Sequence, residues 1–304
     1  MNSALRAEMP LYLGLDGGGS KCRAVIVSAD QQILGEGLAG PANPLRGMKV
    51  ATDSIINATQ QALTCAGLPF NEMSRLIAGA GLAGVNLPHY FQLFSEWQHP
   101  FKALHLTSDL HIACIGAHQG EAGAVIIIGT GSCGLSDVNG NLIEVGGHGF
   151  PYGDNGSGAW FGLQLVHKVL LSLDLLAPDT TLTDLLLAEL GATNAIELVA
   201  HFMHATPTVY AKYAPLVFIA AEAGDETAMQ LVEQGAQFIS SIASRVLQNN
   251  PPRLSLIGGL APKLLPYLPV AIQNIVTPAL QAPELGAVWY ARKQQPAPSI
   301  AMSL

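Results

Sequence analysis

Apolar and polar positions fall in the same succession at two places along the chain. Near the start, the apolar run Leu11–Leu15 leads through a glycine turn into a second run, Ala24–Ser28. The polar turn Ala29-Asp30-Gln31-Gln32 and a third run, Ile33–Gly37, complete a pattern that predicts a three-stranded meander. Roughly a hundred residues later the order recurs. There Ala124–Ile128, the turn Gly129-Thr130-Gly131-Ser132, the run Gly134–Asp137, the turn Val138-Asn139-Gly140-Asn141 and Leu142–Val145 follow one another. The recurrence reads as an internal duplication; two unrelated hairpins of similar composition are the alternative.

Helical spacing of apolar residues predicts a helix over Val50–Ala66, ended at Gly67. Two short apolar runs, Arg75–Gly79 and Ala103–Thr107, flank a further helix and continue the first meander as a βα pattern. Beyond Phe150 the pattern is mostly helical, over Ala159–Leu176, Leu182–Leu190, Ala195–His204, Tyr210–Ala223 and Glu226–Leu247. A last buried strand, Leu254–Ile257, runs into Gly258-Gly259, a closing helix covers Glu284–Lys293, and the residues after Gln295 are expected to fray. This is an α/β chain of two domains, divided near His118–Glu121.

Composition narrows the functional classes. In 304 residues, 49% are hydrophobic and 12% charged, enough apolar surface for a large core. The formal charge of −8 repels phosphate backbones, so nucleic acid is not an expected partner. Cys22, Cys65, Cys114 and Cys133 lie far apart with no C-x-x-C pair, against zinc, iron–sulfur and disulfide frameworks. Met1 to Pro10 is charged and lacks the apolar segment of a signal peptide, and the longest apolar stretch, Ala122 to Ile128, is too short to span a bilayer. A soluble, cytoplasmic protein with no membrane partner is expected.

Four glycine-rich segments carry the candidate chemistry. Asp16-Gly17-Gly18-Gly19-Ser20 follows a strand directly; its glycines let backbone N–H groups approach an anion, and Ser20 adds a hydroxyl. Lys21 adds positive charge, and Asp16 at the strand end suits Mg²⁺ held through water. A ligand-free hairpin turn explains the glycines, and explains less well an apolar strand ending in Asp. Gly129-Thr130-Gly131-Ser132 is the matching turn, and with Gly134 it satisfies G-x-G-x-x-G. A strand follows where a dinucleotide site needs a helix, and no Walker A sequence exists, so two phosphate-cradling hairpins remain the better account. Gly146-Gly147-His148-Gly149 and Gly153-Asp154-Asn155-Gly156-Ser157-Gly158 precede a helix, where Asp154 suits a polar ligand and Asp154 or Ser157 suits a helix cap. Gly258-Gly259 suits an adenine or ribose lying flat on backbone, or a simple turn.

Asp109, in Thr107-Ser108-Asp109, stands where a strand gives way to a helix. It fits two roles, helix cap and general base on a substrate hydroxyl. His201 and His204 have helical spacing but no third ligand for a metal, and no G-x-S-x-G nucleophile elbow occurs.

In order and spacing, these segments resemble the N-acetylglucosamine kinase branch of the BadF/BadG/BcrA/BcrD ATPase family, in the actin, Hsp70 and sugar kinase superfamily. The likeness runs from Leu13-Gly14-Leu15-Asp16 with its glycine turn through Gly81-Leu82-Ala83-Gly84, Thr107-Ser108-Asp109 and Gly129-Thr130-Gly131-Ser132. It continues through Gly146–Gly158, Ala223-Gly224-Asp225, Gly258-Gly259 and Leu285-Gly286-Ala287. The resemblance implies two ribonuclease-H-like domains with a cleft between them that closes by a hinge. Residues 1–118 with the returning helix at about 284–304 would form one domain, and 119–283 the other. It implies ATP and Mg²⁺, with phosphates gripped by Gly17, Gly18, Gly19, Ser20 and Lys21 and by Thr130, Gly131 and Ser132, and Gly258 and Gly259 at the nucleotide. Asp109 would be the base on the sugar 6-hydroxyl, Asn43 and Asp154 would hold sugar hydroxyls, and Gly146 and Gly147 would line the acetamido side.

Ser20 stands where Thr is usual, which keeps the hydroxyl. His148 stands where eukaryotic members place a large aromatic, which leaves the choice between glucosamine and N-acetylglucosamine open. The cysteines of the dehydratase activators and of the zinc-binding glucokinases are missing. An ATPase that activates a partner enzyme and a non-catalytic sugar sensor are the competing readings, and Asp109 favours the enzyme. The oligomeric state is left open, a homodimer among the options.

Overall fold

A computed structural model describes residues 9–295, and the chain divides into two compact units. One runs to Gly123 and resumes at Ala279; the other is Ala124–Pro278. In the first, β1 (Leu11–Gly17), β2 (Cys22–Val27) and β3 (Ile33–Ala39) form the antiparallel meander. There follow α1 (Met48–Cys65), β4 (Leu76–Leu82), α2 (Pro88–Ser95), β5 (Ala103–Ser108) and α3 (Asp109–Ala117). The strand order is β3-β2-β1-β4-β5, with β1, β4 and β5 parallel. Strand alternation sends Leu13, Leu15, Ala24 and Ile26 to one face, where they bury Ile55, Ala58, Ala62 and Leu63 of α1.

The second unit opens with β6 (Gly123–Ile128), β7 (Ser132–Val138) and β8 (Asn141–Gly146). Its helices are α4 (Gly158–Leu173), α5 (Thr181–Leu190), α6 (Ala195–Phe202), α7 (Pro207–Glu222) and α8 (Glu226–Val246). Strand β9 (Leu254–Ile257) and the short α9 (Ala261–Leu264) and α10 (Val270–Gln273) complete it. The order is β8-β7-β6-β9, with β9 parallel to β6. Both sheets therefore start with a meander and lay the next strand parallel beside the first. The fifth place in the second sheet is reduced to one parallel bridge, Leu254 with Val276. Ile126 and Ile128 pack with Phe161, Leu165, Ile239 and Ile242 in a core that α5 and α6 also join through Leu186 and Leu198. Among the described residues no single helix is long and apolar enough to cross a membrane.

The last helix, α11 (Pro283–Lys293), belongs to the first unit. Val288 and Ala291 bury Tyr12, Val25, Val27 and Ile77 on the sheet face opposite α1. Glycine permits this close approach. A Cβ on Gly14 would overlap the Glu284 carbonyl oxygen, one on Gly79 that of Ala287, and one on Gly286 that of Ile112 in α3. Arg292 lies 4.4 Å from the Tyr12 ring centroid and donates to the Ser28 carbonyl at 2.7 Å.

Asp225, in the Ala223-Gly224-Asp225 segment, clasps two helices of the second unit. Its carboxylate accepts from Ala228 N–H at 2.8 Å, capping α8, and from Thr181 N–H at 2.8 Å and Thr180 Oγ1 at 2.8 Å at the start of α5. Burial opposes the charged form, but the bonds from Ala228, Thr180 and Thr181 outweigh it and hold the carboxyl below its ordinary value. That stabilisation is present above the ordinary Asp range and is lost as pH falls through the lowered value. Asp225→Ala is expected to destabilise the protein by about 2 kcal/mol, with a loss that shrinks toward acid pH, in urea unfolding at several pH values.

Candidate active site

Parallel register brings the ends of β1, β4 and β5 to one edge. Asp16 lies beside Gly81, which lies beside Thr107; Gly17, Leu82 and Ser108 form the next row. Two strand spacings of about 4.8 Å separate β1 from β5, so Asp16 and the start of α3 share a corner roughly 10 Å across. Such carboxyl ends of parallel strands are where α/β sheets bind ligands.

The turn after β1 is held from within. Gly17 C=O accepts from Ala83 N–H at 2.8 Å, Gly18 C=O from Ala42 N–H at 3.0 Å, and Gly18 N–H donates to Lys21 C=O at 2.9 Å. N–H and C=O point oppositely in a trans peptide, so fixing the Gly18 carbonyl inward turns the Gly19 N–H outward. Gly19, Ser20 and Lys21 are exposed. The Asp16 carboxyl is pushed up to about 6, chiefly by burial, then by the negative Glu284 and Asp109, against the pull of Lys21 and Arg23.

Asp109 is the first residue of α3, but Ser108 is its cap. The Ser108 hydroxyl accepts from His111 N–H at 3.1 Å, and Asp109 Oδ1 accepts from Leu110 N–H at 2.9 Å. Thr107 Oγ1 bonds His111 Nδ1 at 2.9 Å and braces the same corner. Asn43 caps the turn Pro44–Arg46, its Oδ1 accepting from Leu45 N–H at 2.9 Å beside Gly84.

The second unit builds its turn on a helix start. Gly158 N–H donates to Gly129 C=O at 2.8 Å and Ala159 N–H to Thr130 C=O at 3.1 Å. With these carbonyls fixed on α4, the N–H groups of Thr130 and Gly131 face the other way, and Thr130 is exposed. The positive end of the α4 dipole backs the turn. Ser132 is placed differently from its neighbours: its side chain is buried and donates to Asn155 C=O at 2.8 Å, so it ties the turn to the Gly146–Gly158 segment.

Ser157 caps α4, accepting from Trp160 N–H at 3.2 Å, and Asp154 has no part in that cap. Asp154 adopts φ +61°, with the backbone N–H groups of Ser132 and Gly149 near its carboxyl. Burial raises its carboxyl above the ordinary value, against the pull of those two N–H groups and the nearby His148. Gly147 N–H donates to Ser132 C=O at 3.1 Å, which keeps Gly146 and Gly147 on the same side of the unit as the turn. Ile127 pairs with Ile257, so Gly129 and Gly258-Gly259 leave adjacent strands, and both members of the glycine pair are exposed.

Two residues of the first corner escaped the sequence reading. Arg23 lies across from Asp16 in the β1–β2 register and is 3.8 Å from Glu284, at the start of α11. Arg23 could have been found by pairing the hairpin outward from its turn. Glu284 carries no local signal, because only the return of the last helix brings it there. Among the described residues, no three His, Cys, Asp or Glu side chains form a group that could hold a metal.

Residues 13–291 match the BadF/BadG/BcrA/BcrD ATPase family over nearly the whole chain. The chain belongs to this family. It is 36% identical to the glucosamine kinase GspK of Vibrio cholerae over 94% of this chain and 97% of the relative. It is 27% identical to the N-acetyl-D-glucosamine kinase of Dictyostelium discoideum, over 78% of this chain and 79% of that one. The crystal structure of an inferred N-acetylglucosamine kinase from Chromobacterium violaceum superposes with a TM-score of 0.85 at 28% identity, covering 93% of this chain and 99% of that one. The fold of this family member is accordingly that of two ribonuclease-H-like, actin-like α/β domains.

Proposed function

We propose that the chain transfers the γ-phosphoryl group of ATP to the 6-hydroxyl of glucosamine or N-acetylglucosamine. The observation that carries this reading is the position of Asp109, at the strand-end corner with Asp16, where Ser108 has taken the capping role. Membership of an ATPase family and similarity to a glucosamine kinase over 94% of the chain support ATP and an amino sugar as the substrates.

In this reading Asp109 accepts the proton of the 6-hydroxyl as that oxygen attacks the γ-phosphorus, and the bond to the β–γ bridging oxygen breaks to release ADP. Gly19 and Ser20, and likewise Thr130 and Gly131, offer N–H and hydroxyl groups to phosphate oxygens. Lys21 adds charge, and Gly258-Gly259 offers flat backbone to the nucleoside. Asn43, Gly146, Gly147 and Asp154 receive the sugar. Mg²⁺ fits the first corner, where burial and then the negative Glu284 and Asp109 raise the Asp16 carboxyl, and it would neutralise phosphate charge. Asp16 would hold it through water.

A coupled ADP-release assay over a hexose panel tests the proposal. Glucosamine or N-acetylglucosamine should give the highest kcat/KM, and glucose less, because a pocket shaped for a 2-substituent leaves polar groups unpaired without it. ATP hydrolysis that no sugar stimulates would overturn it.

A further inference from the structure

The carboxylate of Asp154 is packed into the second phosphate turn. A Cβ built on Gly131 would lie 2.8 Å from Asp154 Oδ2 and 3.1 Å from its Cγ, so nothing separates the carboxylate from the turn backbone. The backbone N–H groups of Ser132, last of the turn, and of Gly149 lie near enough to favour the charged form of this carboxyl. Asn155, the next residue, holds the Ser132 hydroxyl through its carbonyl. Asp154 keeps this place by a left-handed backbone, φ +61°, which Asp and Asn tolerate better than most residues.

An anion cradle has a fixed supply of outward N–H groups, and each proton serves one strong acceptor at a time. A carboxylate seated against the cradle competes for its donors and sets a negative charge beside the position of an incoming phosphate. We propose that Asp154 is an internal anion of the second phosphate turn, weakening nucleotide binding until the sugar engages the carboxylate. The inference rests on the kinase reading and deepens it, since a residue that only holds sugar hydroxyls has no bearing on nucleotide binding without sugar. Sugar hydroxyls that donate to Asp154 disperse its charge and draw it from Ser132, which makes the turn more receptive. The device favours nucleotide capture when an acceptor is present, and so suppresses wasteful hydrolysis.

The test is the affinity of MgADP for the full-length protein, measured by calorimetry with and without glucosamine, in wild type, Asp154→Asn and Asp154→Gly. Asn removes the charge and keeps the shape; Gly removes the side chain and accepts φ +61°. Without sugar, both variants are expected to bind MgADP more tightly than wild type, on the order of tenfold, as loss of one adjacent negative charge implies. Sugar should tighten MgADP binding to the wild type and leave the variants unchanged. Variants that bind MgADP as the wild type does without sugar, or more weakly, overturn the internal-anion role. A wild type with no affinity for MgADP overturns the kinase reading itself, and the two failures are distinguishable. Phosphorus NMR of bound MgADP supplies a second readout, with β-phosphate shifts expected to differ between wild type and Asp154→Asn.

Discussion

Asp109→Asn should lower kcat by about 10²–10⁴-fold, with sugar varied at saturating MgATP. Asn matches Asp in size and keeps an acceptor for the Leu110 N–H, but it takes no proton from a hydroxyl. KM for the sugar should change far less than kcat, since the amide still reaches a hydroxyl. The alternative, that Asp109 is needed only to begin α3, makes a different forecast. Ser108 performs the capping, so stability should fall by no more than roughly 1 kcal/mol, the worth of one charge in a helix's first turn. Ser108→Ala is the complementary variant: it should lose about 1 kcal/mol of stability while retaining most of kcat. Thermal melts beside the kinetics separate the two effects. Near-normal kcat in Asp109→Asn removes Asp109 as the base.

The difference between these two adjacent residues marks where sequence reading stops. Thr107-Ser108-Asp109 announced a strand end and a helix start, and β5 and α3 meet there. Which side chain turns back to cap is a matter of χ angles and of the N3 amide's position, and the three residue types all suit the task. The second unit repeats the lesson. Asp154 and Ser157 both suited the start of α4; Ser157 took it, and Asp154 went to the turn. The meanders were legible because glycine and polar turns punctuate short apolar runs, and their repetition anticipated two sheets of like order. Ser132 was harder. Its place in Gly-Thr-Gly-Ser suggested an outward hydroxyl, whereas strand alternation from the start of β7 directs it inward to Asn155. Glu284 shows the remaining limit: its influence on Asp16 depends on a contact between opposite ends of the chain.

Gly286→Ala should destabilise the first unit by roughly 3 kcal/mol, the upper part of the range for overpacking. Leu285-Gly286-Ala287 was a motif without a role in the sequence, and packing supplies one. A methyl at 286 would overlap the Ile112 carbonyl oxygen and come within 2.5 Å of the Gly116 amide nitrogen and 3.0 Å of its Cα. All three are backbone atoms of α3, which no rotamer change can move aside. Relief requires α11 to lift from α3, and α11 is also seated on β1 and β4 through Gly14 and Gly79. Separating them exposes Val288 and Ala291 and the apolar sheet face beneath. Gly19→Ala is the control, because nothing lies within 4 Å of a Cβ there and the residue is exposed. Its stability should remain within about 0.5 kcal/mol of wild type, even where phosphate approach suffers. Urea unfolding gives the magnitudes, and amide hydrogen exchange gives the location, with protection lost first in α3 and α11 while α8 stays protected. Because α3 carries Asp109 at its start, kcat should fall with that protection. A Gly286→Ala protein as stable as wild type, with α3 and α11 fully protected, would show that the helix contact tolerates the methyl and that the motif serves some purpose other than close packing.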